Sequence, residues 1–161
     1  MSKKIIIVGA LGYLGTELCR LYSGESWRNE IIAIDSRFVA ERVAQLKNWG
    51  IKFKQGHILD KEFLKSNLSN ADVVHHLAGI TDVAYVKNES NPELDNNIKK
   101  IAIEGTNNIL SCIPQKCKII FPSTHVIYEG FQSTKRNIDE KETPNAILAY
   151  STRKVQNEID I

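Results

Sequence analysis

The segment "KKIIIVGALGYLG" at the N-terminus constrains the fold most strongly. A continuous apolar run ends at a glycine, as expected for a strand buried on both faces of a parallel sheet. Gly9, Gly12 and Gly15 follow in a regular spacing, and leucines at helical intervals begin among them. In such a triplet the first glycine permits a tight turn, the second lets a pyrophosphate approach the backbone, and the third lets helix and strand pack closely. The segment predicts a nucleotide-binding turn between a first strand and a first helix.

Hydrophobic periodicity continues this alternation along the chain. Further strands are predicted at 30–35, 51–56, 71–79 and 117–123. Helices are predicted at 11–22, 39–49, 61–68 and 98–109, with a last one opening near Tyr150. Irregular stretches are predicted at 80–92 and 128–147. Strands alternating with helices predict an α/β fold with a Rossmann-like, doubly wound and mostly parallel sheet.

An acidic residue ends the second predicted strand. Asp35 lies 20 residues after Gly15, where a carboxylate binds the adenosine ribose hydroxyls and repels the additional phosphate of NADP. Arg37, two residues further on, is a charge that accepts a phosphate, and a simple helix cap is the structural alternative for Asp35. The pattern favours NAD as the cofactor.

The segment "YSTRK" places Tyr150 and Lys154 four residues apart, so they share one face of the predicted last helix. An ordinary tyrosine has a pKa of about 10, and an adjacent ammonium favours its phenolate form. Taken alone, such a pair is more often a surface pair. Because a dinucleotide fingerprint precedes it, the pair predicts a tyrosine that acts in proton transfer.

These motifs together resemble the extended short-chain dehydrogenase/reductases, in particular the NAD-dependent epimerase/dehydratase group that acts on nucleotide sugars. The resemblance covers essentially the whole chain. It is carried by "GALGYLG", Asp35, "VVHHLAG", "GT" at Gly105 and Thr106, "FPSTHVIY" and "YSTRK".

The resemblance implies roles for individual residues. Tyr150 corresponds to the acid/base, Lys154 to the lysine that binds the nicotinamide ribose, and Thr124 to the hydroxyl that contacts the reacting sugar hydroxyl, with Ser123 as its alternative. The cofactor-binding residues implied are Gly9, Gly12, Tyr13, Leu14, Gly15, Asp35, His57, Ile58, Leu77, Ala78, Gly79, Tyr150 and Lys154. The implied reaction is hydride transfer between a sugar carbon and NAD in a nucleotide-sugar epimerase or dehydrogenase.

The sequence departs from the family's pattern at three places. His57 stands where the family commonly has an aspartate that holds the adenine, although a neutral imidazole still accepts a hydrogen bond. Ala102 replaces an asparagine within a helix that is longer than usual. His125 and Val126 replace the Asp-Glu pair of the sugar dehydratases, which argues against dehydration.

Two other functions stay open at this stage: a non-catalytic NAD-binding or sensor module, and a dehydrogenase of the family that acts on a non-sugar alcohol.

Members of the family are longer, because a smaller second domain binds the nucleotide sugar. Residues 1–161 are therefore expected to form the NAD(P)-binding Rossmann domain, including the YxxxK helix, without the substrate domain. The family often dimerises through helices that include this one, which implies a homodimer.

Composition narrows the possible binding partners and the cellular location of the protein. The net charge is +2 and no basic run occurs, which excludes a nucleic-acid or anionic-membrane footprint. No apolar stretch approaches about 20 residues, and a cytoplasmic protein is expected. The cysteines form no CxxC pair. His75 and His76 are adjacent on a strand and point to opposite faces, so no metal site is predicted.

Overall fold

The computed structural model describes residues 2–80 and 92–161. Most of the irregular segment predicted at 80–92 therefore lies outside the described residues. The strands are β1 (Lys4–Val8), β2 (Glu30–Asp35), β3 (Lys52–Gln55), β4 (Val73–His76) and β5 (Lys118–Ile120). The helices are α1 (Tyr13–Tyr22), α2 (Ala40–Asn48), α3 (Lys61–Leu68), α4 (Pro92–Lys99), α5 (Gly105–Cys112) and α6 (Ala149–Asp160). Within these described ranges, no helix is both long and apolar enough to span a bilayer.

All strands pair in parallel, in the order β3-β2-β1-β4-β5. The isoleucines of β1 alternate between two cores, as the period of a strand requires. Ile6 packs with Leu64 of α3 and Ile109 of α5 on one face, and Ile7 packs with Leu46 of α2 on the other. Helices thus cover both faces, and the predicted doubly wound α/β fold is confirmed.

Helix ends follow local sequence signals where those signals exist. The carboxylate of Asp60 accepts a hydrogen bond from the N–H of Phe63 over 2.9 Å and caps α3. Gly50 has a φ of +71° and closes α2 in the left-handed conformation that glycine adopts without strain. These two ends are therefore set by residues within a few positions of the helix.

The helix from Pro92 to Cys112 is continuous but not regular. Its middle five residues, Lys100–Glu104, form a π-helix, with hydrogen bonds one residue longer than in an α-helix. The part before this segment packs against α6, and the part after it packs against α3. The sequence predicts only a regular helix here, because a local change of hydrogen-bond length leaves no periodic signal.

The sheet order reverses at β1, which lies between β2 and β4. Chain segments leaving the carboxyl ends of β1 and β4 cross to opposite faces, and the crevice between them is where ligands bind in open α/β sheets. The glycine-rich turn follows β1, and Leu77, Ala78 and Gly79 follow β4. The fold therefore brings two of the predicted cofactor segments together at this crevice.

Candidate active site

The glycine-rich turn is built by close backbone approaches. Gly9 has a φ of +86°, and a Cβ atom at this position would lie 2.6 Å from the backbone nitrogen of Ala78. A Cβ atom on Gly15 would overlap the carbonyl oxygen of Gly9. Glycine at these positions lets the end of β4 and the start of α1 meet the turn, as the spacing predicts.

The N-terminus of α1 faces the crevice without a capping side chain. Gly12 is its N-cap and makes no side-chain hydrogen bond, and a Cβ atom there would approach only the carbonyl oxygen of Gly9, at 3.2 Å. The side chain of Tyr13 is 86% exposed. Uncapped amides and the positive end of the helix dipole fit a phosphate group. The turn therefore suits the pyrophosphate of a dinucleotide.

A cleft of about 560 Å³ runs across the carboxyl ends of the strands. This volume is within the usual range of small-molecule and cofactor sites. Every residue predicted to bind the cofactor lines it: Gly9, Gly12, Tyr13, Leu14, Gly15, Asp35, His57, Ile58, Leu77, Ala78, Gly79, Tyr150 and Lys154. Residues not predicted to bind cofactor also line it, among them Ser36, Arg37, Ile101, Pro122 and Ser123. Ile101 belongs to the π-helix, so sequence periodicity gave no reason to place it in the cleft.

Asp35 is buried beside the glycine-rich turn. Its Oδ2 accepts a hydrogen bond from the N–H of Leu11 at 2.9 Å, and its Oδ1 accepts from the backbone N–H and the guanidinium of Arg37. Burial alone would raise the pKa of this carboxyl, but the hydrogen bonds from Arg37 and Leu11 hold the pKa below its usual range. Because α2 begins at Ala40 with Val39 as its N-cap, the helix-cap alternative for Asp35 is wrong.

His57 lies at the far end of the cleft, in a turn that its own side chain closes. Its Nδ1 accepts a hydrogen bond from the N–H of Leu59 over 3.1 Å. Because Nδ1 is occupied by this bond, only Nε2 is left to contact a ligand, where the family's aspartate would have a second acceptor oxygen. The carbonyl of Ile58 accepts from Asn108 of α5, and a Cβ atom on Gly105 would overlap the Ile58 side chain. Helix α5 thus fixes this loop, and Gly105 permits the close packing between them.

Lys154 lies at the opposite end of the cleft. Its Nζ donates a hydrogen bond to the carbonyl oxygen of Pro122 over 2.8 Å and sits 4.1 Å from the ring centroid of Phe121. Burial lowers the pKa of Lys154 to about 8, and the charge of Glu158, one turn further along α6, partly opposes this shift. The ammonium is therefore held by the segment that follows β5.

Tyr150 differs from the sequence-based expectation. Burial raises the pKa of Tyr150, and the hydroxyl of Thr124 only partly opposes the rise. The Nζ of Lys154 is 5.9 Å from the centroid of the tyrosine ring and is directed to a carbonyl instead. The expected lowering of the pKa by an adjacent ammonium is therefore absent in this structure.

The two hydroxyl residues after β5 have different surroundings. Thr124 begins a short 3-10 helix, His125–Tyr128, and its Oγ1 accepts a hydrogen bond from Val126 at 3.2 Å. Ser123 lines the cleft and donates to Glu158. Thr124 is thus the hydroxyl beside Tyr150, whereas Ser123 is the one that the cleft reaches.

The adjacent histidines of β4 point to opposite faces, as predicted. Nε2 of His75 is 2.9 Å from the hydroxyl of Tyr22 on one face. Nε2 of His76 is 2.8 Å from the hydroxyl of Thr106 on the other. Burial lowers the pKa of His76 to about 4, with a smaller contribution from the charge of Lys154. Each ring thus packs a different helix onto the sheet.

Comparison with known proteins assigns the chain to a family. The family model described as "3-beta hydroxysteroid dehydrogenase/isomerase family" matches residues 6–159. The chain belongs to this family. The resemblance to the extended short-chain dehydrogenase/reductases that the motifs carry is thereby confirmed.

Individual proteins and solved structures are similar to this member of the hydroxysteroid dehydrogenase/isomerase family over nearly the whole chain. A dTDP-D-glucose 4,6-dehydratase from Dictyostelium discoideum is 29% identical over 170 residues, which cover 94% of this chain and 38% of the dehydratase. The UDP-glucose 4-epimerase from Brucella ovis, solved in complex with NAD, has a TM-score of 0.79 at 22% identity. The match covers 99% of this chain and 46% of the epimerase chain. The UDP-glucose 4-epimerase from Thermotoga maritima, solved with UDP-glucose, has a TM-score of 0.79 at 22% identity, covering 98% of this chain and 49% of its own.

The chain spans less than half the length of these relatives. At this identity the structural likenesses show the fold, and several of those structures were solved with NAD bound.

Proposed function

We propose that the chain is the cofactor-binding and catalytic part of an NAD-dependent enzyme that oxidises a hydroxyl-bearing carbon of a nucleotide sugar, as an epimerase or a dehydrogenase. The observation that carries this proposal is the cleft itself. One continuous cavity joins the uncapped turn at Gly12 and the buried carboxylate of Asp35 to Tyr150 and Lys154. A dinucleotide that lies along the cleft would have its adenosine near Asp35 and His57, its pyrophosphate at the glycine-rich turn and its nicotinamide near Tyr150.

The residues that would hold NAD have separate tasks. The amides at the start of α1 would bind the pyrophosphate, and Asp35 would accept hydrogen bonds from the adenosine ribose. Because Arg37 is bound to the same carboxylate, the ribose and the guanidinium would compete for it. When bound, NAD would supply a hydride acceptor.

Proton transfer would belong to Tyr150. Its phenolate would take the proton of the substrate hydroxyl while the hydrogen on the same carbon departs as a hydride, leaving a carbonyl. Thr124 would hold the reacting hydroxyl, and the charge of Lys154 would stabilise the phenolate. Burial raises the pKa of Tyr150 in this structure and Nζ of Lys154 lies 5.9 Å from its ring centroid, so the phenolate would also depend on the positive charge that bound NAD adds to the site.

An epimerase or dehydrogenase fits better than a dehydratase. The sugar dehydratases that the motifs resemble carry an Asp-Glu pair after the position of Thr124 for eliminating water, and His125 and Val126 stand there in this chain. Substrate selection would depend on residues outside 1–161, in keeping with the share of each relative that the chain covers. We also propose that the enzyme is cytoplasmic and forms a homodimer through helices that include α6.

The experiment uses the chain alone and a longer form of the protein. Calorimetry should show that residues 1–161 bind NAD. A longer form should either produce NADH absorbance at 340 nm with a nucleotide sugar, as a dehydrogenase, or convert the sugar to its epimer without net NADH, as an epimerase. Tyr150→Phe should abolish either activity while NAD binding persists. Unchanged turnover by Tyr150→Phe would remove the tyrosine from the mechanism.

A second candidate is a dehydrogenase that acts on a non-sugar alcohol, and the family match favours it directly. The same residues would carry the same proton transfer on a different substrate. Oxidation of a 3-beta hydroxysteroid, together with inactivity toward every nucleotide sugar in the same panel, would replace the first proposal with this one. NAD binding without any turnover would instead indicate a binding module.

A further inference from the structure

The first turn of α6, the helix that carries Tyr150, has no cap from its own sequence. Leu148 is the N-cap residue, and its side chain makes no capping hydrogen bond. The first N–H groups of a helix have no acceptor within the helix, so each needs a partner from elsewhere. An acceptor from another part of the chain is therefore required to hold this end in place.

Glu129 provides an acceptor at this end, for the N–H groups of the two residues that precede the helix and for one hydroxyl within its first turn. Its Oε1 accepts hydrogen bonds from the N–H groups of Ile147 and Leu148, each over 2.8 Å, and from the hydroxyl of Ser151. Ser151 is fully buried. A carboxylate at this place also interacts favourably with the positive end of the helix dipole. The three donors flank Tyr150 on both sides in the sequence.

Glu129 belongs to the segment that carries the other proposed catalytic hydroxyl. Thr124 caps the start of the short 3-10 helix, and the N–H of Glu129 donates to the carbonyl of Val126 at its end, over 3.1 Å. A second tie joins the same segments, since Asn145 donates from its N–H to the carbonyl of Ile127 over 2.9 Å. The side chain of Glu129 thus links the Thr124 segment to the Tyr150 helix.

We propose that Glu129 is a positioning residue for Tyr150, because its carboxylate fixes the first turn of α6 to the segment that begins with Thr124. This inference rests on the proposed role of Tyr150 as the acid/base. Glu129 touches neither the cleft nor the tyrosine hydroxyl; it acts through Leu148 and Ser151.

The electrostatics of Glu129 agree with this role. Burial alone would raise the pKa of its carboxyl, but the hydrogen bonds from Leu148, Ser151 and Ile147 outweigh burial and hold the pKa below its usual range. Its second oxygen, Oε2, is buried without a partner among the described residues, which opposes folding. The favourable contacts of Oε1 therefore have to offset a cost that an ordinary surface glutamate does not carry.

The test measures the titration of Tyr150 in the chain of residues 1–161. Tyrosine labelled with ¹³C at Cζ gives one signal per ring, and Tyr150→Phe identifies the signal of interest. Glu129→Ala should shift the pKa of Tyr150 toward the ordinary value of about 10, by about half a unit or more, because the first turn of α6 loses its anchor. Glu129→Gln keeps an acceptor oxygen and should preserve the native titration. Glu140→Ala removes an exposed glutamate from the same loop and is the matched control.

An unchanged Tyr150 titration in folded Glu129→Ala would overturn the inference. If that variant does not fold, Ser151→Ala removes one of the three donors, and a shift in the same direction is expected, with no shift again overturning it. The titration needs no substrate. Failure of the proposed function would appear as turnover by Tyr150→Phe, so the two failures are distinguishable.

Discussion

The backbone N–H of Leu11 donates a hydrogen bond to Oδ2 of Asp35 over 2.9 Å, which ties the glycine-rich turn to the end of β2. The carboxylate is buried, and its other oxygen holds Arg37. One side chain therefore both shapes the pyrophosphate turn and offers the anion expected to bind the adenosine ribose. The same two carboxylate oxygens therefore serve the structure of the turn and the proposed binding of the ribose.

Asp35→Asn should reduce the affinity for NAD by about tenfold or more, because a charged acceptor contributes roughly 1.5–3 kcal/mol to a buried hydrogen bond. Calorimetric titration with NAD measures this. Asp72→Asn is the matched control: Oδ2 of Asp72 accepts from the N–H of Lys4 over 2.8 Å at the opposite end of the sheet. The control should lower stability and leave NAD affinity unchanged. Equal losses of affinity in both variants would contradict a binding role for Asp35.

Gly105→Ala should weaken NAD binding at a distance. The added methyl group would overlap the side chain of Ile58, which lines the cleft, so the loop that carries it has to move. We expect a loss of about 1–3 kcal/mol in the free energy of unfolding and a weaker affinity for NAD. Gly24→Ala, where a Cβ atom meets nothing within 4 Å, is the control. Urea unfolding and calorimetry give both quantities, and unaltered binding by Gly105→Ala would separate the helix from the cofactor site.

His57→Asp should increase the affinity for NAD by about threefold to tenfold, the range for one net hydrogen bond of about 0.5–1.5 kcal/mol. An aspartate accepts from the N–H of Leu59, as His57 does now, and has a second oxygen for the 6-amino group of adenine. Nicotinamide hypoxanthine dinucleotide lacks that amino group and should show no gain. An equal gain for both dinucleotides would argue against adenine at this end of the cleft.

Lys154→Met should stabilise the chain near neutral pH while weakening NAD binding. The pKa of Lys154 is about 8 in the folded chain, against 10.5 for an ordinary lysine. Below pH 8 Lys154 is protonated in both the folded and the unfolded chain, so the buried charge destabilises the fold fully. Between pH 8 and 10.5 the folded chain releases the proton first, and the destabilisation declines as the pH rises.

We expect a gain on the order of 1 kcal/mol in the free energy of unfolding of Lys154→Met at pH 7, reduced by partial exposure and by the lost hydrogen bond to Pro122. The gain should vanish near pH 10.5. Urea unfolding at pH 7 and pH 10 measures it, with the exposed Lys116→Met as the control. A variant less stable than the native chain at pH 7 would show that the hydrogen bond outweighs the buried charge.

Local sequence patterns were sufficient to predict much of this structure. The strand at β1 and the glycine-rich turn are each determined by neighbours within a few residues, and the structure has them as predicted. The cap at Asp60 is likewise set by a residue three positions away. The cap of α6 was not predictable, because Glu129 comes from 18 or more residues away in the sequence. The raised pKa of Tyr150 depends on burial in three dimensions, which spacing along a helix does not report.

The π-helix at Lys100–Glu104 takes up one extra residue and so changes how the two halves of this helix face their neighbours. One extra residue taken up in such a segment rotates the sequence that follows by about 100°, roughly a quarter turn, relative to a regular α-helix. The rod can then present one side to the helix of Tyr150 and a different side to α3, behind Ile58. Removing a single residue between 100 and 104 would realign the two halves, and one of these neighbours would lose its partner. A one-residue difference in length thus sets which side of this helix packs at each end of the cleft.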